Sequence, residues 1–518
     1  MWSTLNIAVG RSSAHAGPMS TSTTEQLDVL VIGAGISGIG AGHYLKTEQP
    51  SKTFAILDAR DRIGGTWDLF KYPGIRSDSD LYTFGYEFKP WRDKETIATA
   101  PRILAYLEET VEESGLTPHL RFGHKVVRAD WSSAAARWLV DVEVTTPEGT
   151  TTQQISARWI FCAAGYYRYD EGYTPELPGL ADFEGQVVHP QHWPEDLDYA
   201  GKKVVIIGSG ATAVTLAPSM AGTAGHVQIL QRTPSYILPV PKEDGLARLA
   251  KRWLSPDRAH RVIRAKFVQQ QRLVYAFAQT FPKTARSLIR SVNVKSLPEG
   301  YPVDEHFNPP YDPWDQRLCA VPDGDLFRAI RREEVEMVTD RIETFTPTGI
   351  QLSSGRHLEA DLVITATGLN LQMLGGLDLS VDGRAVDPAQ TVAYRGTMLS
   401  GVPNLAMAIG YTNASWTLKI GLLCEYFVSM LAYLDEHEYD AVWAAADPDM
   451  ETRPLLDFKA GYVQRVLATL PKQGPEAPWS TSRSYVDDRK LIRGGKLADE
   501  HLHFARATAG VARAEALS

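Results

Sequence analysis

Residues 27–38 read LDVLVIGAGISG, a short apolar run that passes directly into three spaced glycines. The β-branched run predicts a buried strand, and a helical stretch at Ile39–Lys46 then leads to a second apolar run, Phe54–Leu57. Strand, helix and strand in this order form a βαβ unit. Glycines at this spacing permit a tight turn and bring backbone N–H groups to a pyrophosphate at the positive end of the helix. The stretch therefore predicts an α/β sheet that binds a dinucleotide.

An acidic residue supports this interpretation. Asp58 follows the second strand, 20 residues beyond Gly38, where a carboxylate would accept hydrogen bonds from ribose hydroxyls. A GxGxxG pattern alone is weak, because 41 glycines in 518 residues give roughly a one-in-four chance of one match. The alternative is a glycine-rich turn in an unrelated α/β protein, which the flanking strands and Asp58 disfavour.

A second unit begins at Lys203–Ile207 and continues as Gly208-Ser209-Gly210-Ala211-Thr212-Ala213. The strand after its helix ends in Gln231-Arg232-Thr233-Pro234, without a carboxylate. A carboxylate there would repel a 2′-phosphate, whereas Arg232 can pair with that phosphate bidentately. The second unit therefore favours NADPH over NADH. The alternative for Arg232 is an ordinary solvated arginine at the end of a strand.

Composition excludes several classes of protein. A chain of 518 residues predicts two or three domains, and a net charge of −9 argues against a nucleic-acid-binding protein. The three cysteines Cys162, Cys319 and Cys424 contain no CxxC pair. This usage excludes a disulfide framework, a CxxC zinc site and a redox-active dithiol, and it fits a reducing cytoplasm. We therefore expect a cytoplasmic protein without a metal site.

No membrane span is expected either. The longest apolar stretch, Gly421–Leu434, has 14 residues and includes Glu425, so it is too short to cross a bilayer. It predicts a buried helix, which we expect to span Leu418–Leu434. The first 23 residues are rich in Ser, Thr and Ala and are predicted to be disordered, with Met19 as an alternative start. No apolar h-region precedes Ala14-His15-Ala16, which argues against a signal peptide.

The stretch between the two units carries a pattern that is more specific than a glycine motif. Residues 183–194 follow the pattern FxGxxxHxxxWP, with Phe183, Gly185, His189, Trp193 and Pro194. Chance would produce these five residues at this spacing with a probability on the order of 1 in 10,000 or lower. The pattern resembles the fingerprint of type I Baeyer–Villiger monooxygenases, which are class B flavoprotein monooxygenases. The flavin-containing N- and S-oxygenases of the same class lack the final Trp-Pro.

The resemblance extends from about residue 27 to 500. A second family pattern matches at Gly64-Gly65-Thr66-Trp67, Tyr72-Pro73-Gly74 and Asp78, and Asn308–Arg328 is similar to the subgroup that contains the ethionamide-activating monooxygenase. The resemblance implies an α/β fold with two Rossmann-like dinucleotide-binding domains, one for FAD and one for NADPH. It also implies a helical insertion in the second domain, which agrees with basic and aromatic residues at helical spacing between positions 248 and 261.

The expected domain boundaries follow from these patterns. We expect a disordered segment at 1–23, the first part of the FAD-binding domain at 24–170 and the first part of the NADPH-binding domain at 171–240. The helical insertion should occupy 241–312, and the second part of the NADPH-binding domain 313–368. Residues 369–518 should complete the FAD-binding domain, through a buried strand near Asn404–Ile409, and form a C-terminal segment.

The resemblance implies two sets of cofactor-binding residues. The expected FAD set is Gly33, Gly35, Ile36, Ser37, Gly38, Asp58, Ala59, Arg60, Gly65, Thr66, Trp67, Tyr72, Asp78, Val126, Ala164 and Gly165. The expected NADPH set is Gly208, Ser209, Gly210, Ala211, Thr212, Arg232, Thr233, Ala366, Thr367 and Gly368. Gln316 stands where family members often carry a lysine, so the preference for NADPH depends mainly on Arg232 and Thr233.

The resemblance also implies which residues are catalytic. The family's active arginine falls on Arg317 and its partner carboxylate on Asp78. Reduced flavin and O2 form a C4a-peroxide, whose anion converts a ketone to an ester or lactone and whose protonated form oxidises a sulfide or thioamide. Arg317 would stabilise the anion and Asp78 would hold the guanidinium. The alternative for Arg317 is a structural ion pair with Asp315 or Asp325.

Other assignments remain open at this point. His189 is expected to have a structural or hinge role in preference to proton transfer, and Cys162 to be a buried apolar residue. The expected partners are O2 and a small ketone or sulfide, with the chain acting as a monomer or homodimer. The alternative functions are an N- or S-oxygenase without ketone activity and a non-enzymatic NADPH-binding protein. A two-dinucleotide disulfide reductase would need paired cysteines that are missing.

Overall fold

The computed structural model describes residues 24–316, 318–411, 413–456, 461–482 and 484–507. Residues 1–23, which the sequence predicts to be disordered, and Arg317, the predicted catalytic arginine, lie outside the described residues. The described chain contains two separate sheets with parallel strands and flanking helices. This arrangement confirms the predicted α/β fold.

The first sheet is built around the strand that opens the first glycine motif. Glu25–Ile32 pairs in parallel with Phe54–Leu57 on one side and with Gly149–Cys162 on the other. Leu120–Arg121 extends one edge, and Leu405–Met407 pairs in parallel with the end of Gly149–Cys162. A strand from late in the chain therefore completes the sheet that the first motif begins.

The long strand Gly149–Cys162 also belongs to an antiparallel meander that the βαβ pattern did not predict. Its first part pairs with Arg137–Thr146, which pairs in turn with His124–Ser132. Asp378–Val381 and Arg384–Ala385 extend this side of the sheet. The first sheet is therefore mixed: the half that carries the first motif is parallel, and the other half is an antiparallel meander to which Asp378–Val381 adds in parallel.

The second sheet is entirely parallel. Its strand order is Val335–Thr339, His226–Gln231, Lys203–Ile207, Leu362–Thr365 and Gln186–Val188. The strand before the second glycine motif thus lies at the centre of the sheet. Parallel strands bring their carboxyl ends, and the loops that follow them, to one edge of a sheet.

Both motif strands are buried on two faces. Val29 and Val31 pack into one hydrophobic core, whereas Leu30 packs into another. Likewise, Val204 and Val205 pack into cores on opposite faces of the second sheet. A parallel strand covered on both faces requires a continuous apolar run in place of alternation, which explains the LDVLVI and KVVII patterns.

Helices cover the two sheets and form the insertion. The helices are Ile36–Glu48, Thr66–Leu69, Leu81–Phe84, Ala100–Glu113, Ala211–Met220, Gly245–Trp253, Pro256–Thr280, Pro282–Ser296, Val303–His306, Asp325–Arg331, Trp416–Glu436, Gly461–Gln464 and Tyr485–Gly494.

The short strand pairs outside the two sheets are Tyr167–Gly172 with Leu369–Leu371, Tyr236–Val240 with Leu318–Pro322, Ala393–Tyr394 with Met398–Leu399, Ala441–Ala444 with Leu502–Ala505, and Arg453–Pro454 with Lys472–Gln473. Ile342–Thr346, Gly349–Leu352 and His357–Glu359 form a separate three-stranded sheet.

The insertion lies between strands Tyr236–Val240 and Leu318–Pro322, and it consists of three main helices. A buried arginine anchors the longest of them. Nη1 of Arg264 donates hydrogen bonds to the carbonyl oxygens of Tyr82, at 2.8 Å, and Gly85, at 2.9 Å. Because a buried cation is stable only with such partners, this contact fixes the insertion against the first part of the chain.

The C-terminal apolar helix spans Trp416–Glu436, two residues more at each end than the predicted helix Leu418–Leu434. Two polar residues near its start find partners inside the protein. Thr417 donates a hydrogen bond to the carbonyl oxygen of Thr83 at 3.1 Å, and Nζ of Lys419 lies 3.3 Å from Asp488. This helix is long and apolar enough to cross a membrane by length and composition, yet 72% of its most apolar window is buried inside the protein.

Candidate functional site

A cavity of about 630 Å³ lies where the loops after the motif strands meet. Every residue of the predicted FAD set except Gly38 lines it. Ala211 and Thr212, at the start of the second motif helix, line it as well. The structure therefore brings residues from both predicted cofactor sets to one cavity.

The glycines of the first motif serve different purposes. Gly33 has a φ of +103°, and a Cβ there would lie 2.6 Å from the carbonyl oxygen of Ala163. A Cβ at Gly38 would lie 1.8 Å from the carbonyl oxygen of Gly33, so that position requires glycine for packing. Gly35 differs, because its φ is −79° and the nearest atom to a Cβ would be Cα of Gly65 at 3.6 Å. The protein alone does not require glycine at position 35.

The second motif repeats this arrangement. Gly208 has a φ of +134°, and a Cβ there would lie 2.3 Å from the carbonyl oxygen of Ala366. At Gly210 a Cβ would meet nothing within 4 Å, and the backbone is in an ordinary conformation with φ −81°. In both motifs the central glycine therefore borders open space at a helix N-terminus. That space fits a pyrophosphate, which a side chain at either glycine would displace.

Asp58 is held at the edge of the cavity by the backbone. One carboxylate oxygen accepts the N–H of Ala34 at 2.7 Å, and the other accepts the N–H of Arg60 at 2.9 Å. Burial raises the pKa of Asp58 above its usual value, although these backbone hydrogen bonds oppose the shift. The contacts orient the carboxylate beside the first glycine loop, and each oxygen keeps a lone pair for a ribose hydroxyl.

Two tyrosines connect the segments around the cavity. The hydroxyls of Thr66 and Tyr169 lie 3.1 Å apart, and burial raises the pKa of Tyr169 to about 12. Tyr72 lines the cavity together with Thr212, the first-turn residue of the second motif helix, and burial raises the pKa of Tyr72 to about 12 as well. Both phenols are therefore neutral, and Tyr72 and Thr212 bring the predicted FAD and NADPH sets to the same cavity wall.

Asp78, the predicted partner of the catalytic arginine, lines the same cavity. Its neighbour Arg76 pairs with Asp325, Nη2 lying 3.4 Å from Oδ1 and Nη1 making a shorter contact with Oδ2. Asp325 thus already has a cationic partner. Arg317 itself lies outside the described residues, so its pairing with Asp78 stays a prediction.

The remaining residues of the predicted NADPH set lie around the second motif. Oγ of Ser209 donates to the carbonyl oxygen of Thr233 at 3.1 Å, which ties the glycine loop to the segment that carries Arg232. Arg232 is exposed and makes no ion pair with any carboxylate that the structure describes. The loop Ala366–Gly368 follows the neighbouring strand, and Thr367 donates to the carbonyl oxygen of Tyr173 at 2.6 Å.

The fingerprint connects the second sheet to the cavity side of the molecule. Nδ1 of His189 accepts the N–H of Gln191 at 3.2 Å, which leaves the proton on Nε2, 3.3 Å from the carbonyl oxygen of Gly368. Burial lowers the pKa of His189, so the ring is neutral at pH 7 and both nitrogens are engaged. A Cβ at Gly172 would lie 2.0 Å from the imidazole ring, so that glycine makes room for it. These contacts support the structural role that we expected.

The other fingerprint residues contribute to hydrophobic packing. Phe183 is buried and contacts Phe345 edge to face, with centroids 5.9 Å apart. A Cβ at Gly185 would lie 2.3 Å from the ring of Phe183, which explains the glycine at that position. Trp193 packs against the core of the second sheet.

Several cavity residues lie outside the two predicted cofactor sets. Nε1 of Trp416 donates to Oγ of Ser37 at 2.9 Å, and the indole stacks on Tyr166 with centroids 5.1 Å apart. Gln372, Leu374 and Tyr462 also line the cavity. Gln372 and Leu374 lie at a short turn and Tyr462 lies in the short helix Gly461–Gln464, none of which carries a motif, so no local signal in the sequence could identify them.

Known proteins resemble this chain in sequence. A family model for flavin-binding monooxygenase-like proteins matches residues 86–264, and a model for NAD(P)-binding Rossmann-like domains matches residues 31–92. The FAD-containing monooxygenase EthA of Mycobacterium tuberculosis is 51% identical over 490 residues, which cover 94% of this chain and 99% of EthA. The probable FAD-binding monooxygenase AlmA of Acinetobacter sp is 47% identical, over 93% of this chain and 96% of AlmA.

Solved structures share the fold. An oxidized steroid monooxygenase bound to NADP superimposes with a TM-score of 0.71 at 23% identity, over 93% of this chain and all of that one. These relationships agree with the two predicted cofactors, FAD and NADPH, and with the predicted enzyme class. Identity near 50% over nearly the full length of EthA, together with the cavity that both glycine motifs reach, shows that the chain belongs to the family of FAD-containing monooxygenases.

Proposed function

We propose that this enzyme inserts one oxygen atom of O2 into a ketone, which gives an ester or lactone, and transfers oxygen to a sulfide or thioamide, which gives an S-oxide. The observation that carries the proposal is the common cavity, which Asp78 lines together with residues of the first glycine motif and with Ala211 and Thr212 of the second. The fingerprint that ends in Trp193-Pro194 supports the Baeyer–Villiger type.

The cavity can hold the flavin nucleotide through its first motif. The open space at Gly35 and the carboxylate of Asp58 would receive the pyrophosphate and a ribose of FAD. When bound and reduced by NADPH, FAD supplies the activation of O2. Trp416, fixed by Ser37 and stacked on Tyr166, closes part of the same cavity and would limit the access of water.

A positively charged side chain would support the oxygen-transfer step. Attack on a ketone carbonyl places negative charge on oxygen, and a cation in a water-poor cavity stabilises that charge. We propose Arg317 as this cation and Asp78 as the carboxylate that balances it. Asp325 is paired with Arg76, which supports Asp78 over Asp325 as the partner of Arg317.

We propose that Arg232 binds the 2′-phosphate of NADPH. Arg232→Ala should raise the KM for NADPH by roughly 10- to 100-fold, because a charge-assisted hydrogen bond contributes about 1.5–3 kcal/mol. The KM for NADH should scarcely change. The measurement is steady-state oxidation of both nucleotides, with Arg384→Ala as a control at an exposed arginine far along the chain. Equal losses with NADPH and NADH would contradict this assignment.

The function is tested by product formation. Purified enzyme should convert a cyclic or long aliphatic ketone to its ester, and an aryl sulfide to its sulfoxide, with NADPH consumed in proportion to product. An enzyme that oxidises the sulfide but never the ketone would be an N- or S-oxygenase, and the Baeyer–Villiger proposal would be wrong.

A further inference from the structure

The helical insertion carries an unusual amount of exposed apolar surface. Among the residues that the structure describes, 13 large hydrophobic side chains are exposed, and 11 of them lie between positions 246 and 294. The other described residues contribute only Leu139 and Val187. The 11 residues are Leu246, Leu249, Trp253, Leu254, Val262, Leu273, Val274, Phe277, Phe281, Leu288 and Val294. Clustered exposed apolar side chains mark interaction surfaces when they form a continuous patch.

These side chains form stripes along the helices. On Gly245–Trp253, the residues Leu246, Leu249 and Trp253 recur at intervals of three and four, which places them on one side of the helix. They are 48%, 55% and 71% exposed, whereas Ala247 and Ala250 face the protein. The apolar stripe of this helix is therefore turned towards solvent, in contrast to a helix that packs on a core.

The long helix repeats this pattern. On Pro256–Thr280, the exposed residues Val262, Leu273 and Phe277 are 11 and 4 positions apart and share one side. Ile263 and Phe267 are buried on another side. Two adjacent helices of the insertion thus each present an apolar stripe without a partner among the described residues.

The same helices concentrate positive charge. Residues 245–296 contain twelve Lys and Arg and a single acidic residue, Asp257, so their net charge is +11 in a chain whose net charge is −9. The rest of the chain therefore carries −20. Seven of these cations are exposed and pair with no carboxylate among the described residues: Arg248, Arg252, Arg258, Arg261, Arg272, Lys283 and Lys295.

We propose that this face, which we call the insertion face and define as the exposed side chains of residues 245–296, docks on the surface of an anionic lipid bilayer. Helices with an apolar stripe and basic flanks lie in the interface between headgroups and acyl chains. Each basic residue near an anionic leaflet adds attraction. The guanidinium of Arg252 lies 5.6 Å from the ring of Trp253, an aromatic and basic pair suited to the headgroup region.

Charge complementarity favours this occupant over a second copy of the chain. Each insertion face exposes eight Lys and Arg side chains against the single carboxylate of Asp257, so two such faces brought together would repel one another. An anionic bilayer instead offers opposite charge and an apolar interior in the same plane.

The insertion face is coupled to the cavity side of the molecule. Nε2 of Gln271, on the long helix, donates to Asp80 at 2.7 Å and to Thr83 at 3.0 Å, in the segment that follows Asp78. An insertion docked on a bilayer would thus place the cavity close to apolar molecules dissolved in the lipid. The proposal goes beyond the proposed oxygenation and does not depend on it.

Co-sedimentation with vesicles tests the proposal. The full-length holoenzyme should bind vesicles of phosphatidylcholine with 30% phosphatidylglycerol at about 0.1 M salt, and binding to pure phosphatidylcholine should be at least tenfold weaker. Raising the salt to about 0.5 M should weaken binding to the anionic vesicles, because the Debye length shortens. Arg258→Ala and Arg261→Ala should each lower the partition coefficient about fivefold.

The apolar stripe is tested separately. Leu249→Glu with Trp253→Glu should abolish vesicle binding, whereas Leu139→Glu with Val187→Glu, at exposed apolar residues elsewhere, should leave it unchanged. Flavin content and NADPH oxidation should stay normal in both variants, which shows that they fold. The proposal is overturned if the holoenzyme does not bind anionic vesicles, or binds neutral vesicles equally well. It is also overturned if the stripe variants bind normally, or if their main effect is to dissociate an oligomer seen by light scattering.

Discussion

Gly35→Leu should yield a folded protein that retains almost no FAD. The backbone at Gly35 is in an ordinary conformation, and the protein offers no atom closer than 3.6 Å to a Cβ. The additional side chain therefore occupies the space that we assign to the pyrophosphate, and several hydrogen bonds from backbone N–H groups are lost together. We expect a loss of at least about 3 kcal/mol in FAD binding, which exceeds 100-fold.

The measurement is flavin absorbance relative to protein absorbance after gel filtration, with circular dichroism to confirm folding. Gly494→Leu is a matched control, because a Cβ there also meets nothing within 4 Å but lies at the end of a distant helix. Gly210→Leu should show the converse pattern, with normal FAD and weakened NADPH binding. A folded Gly35→Leu protein with a full complement of FAD would rule out this site.

Arg317→Ala should retain FAD and still oxidise NADPH, but form little ester. Ketone oxygenation develops negative charge on oxygen, whereas oxidation of a sulfide does not require a stabilised anion. Removal of a cation that stabilises such charge costs about 3 kcal/mol, or roughly 100-fold, in comparable sites. Ester formation should therefore fall about 100-fold more than sulfoxide formation, and release of H2O2 should rise as oxygenation becomes uncoupled.

Product per NADPH consumed, for one ketone and one sulfide, measures this selectivity. Arg317→Lys should recover part of the ester formation because it keeps the positive charge, although it cannot reproduce the planar guanidinium. Arg332→Ala, at an exposed arginine, is the control for general effects of losing a charge. Undiminished ester formation by Arg317→Ala would remove this residue from the catalytic proposal.

The parts of the fold that the sequence predicted are those that depend on near neighbours. A run such as LDVLVI followed by Gly33, Gly35 and Gly38 determines a strand, a turn and a helix within about 20 residues. The conformational demands are local as well, since Gly33 has a positive φ and Gly38 packs against Gly33 itself. The motif therefore predicted both the parallel sheet and the residues that line the cavity.

Long-range contacts could not be predicted in this way. Trp416 reaches Ser37 across 379 positions of sequence, and an isolated tryptophan in an apolar stretch is more often a core residue. Lys419 lies within the predicted helix Leu418–Leu434, but its burial beside Asp488 is a pairing that only the tertiary structure shows. Similarly, basic and aromatic residues at helical spacing predicted helices in the insertion but not which of their sides faces solvent.

The interleaved connectivity of the two sheets has a consequence for biosynthesis. All strands of the second sheet lie between positions 186 and 365, inside the gap between Gly149–Cys162 and the late strand Leu405–Met407. A chain emerging from the ribosome can complete the second sheet first. The helix Ile36–Glu48, although made early, must wait for Trp416–Glu436 to cover it. At about 5–20 residues per second, that delay is roughly 20–80 s, long enough for chaperones to protect the unfinished half of the nascent enzyme.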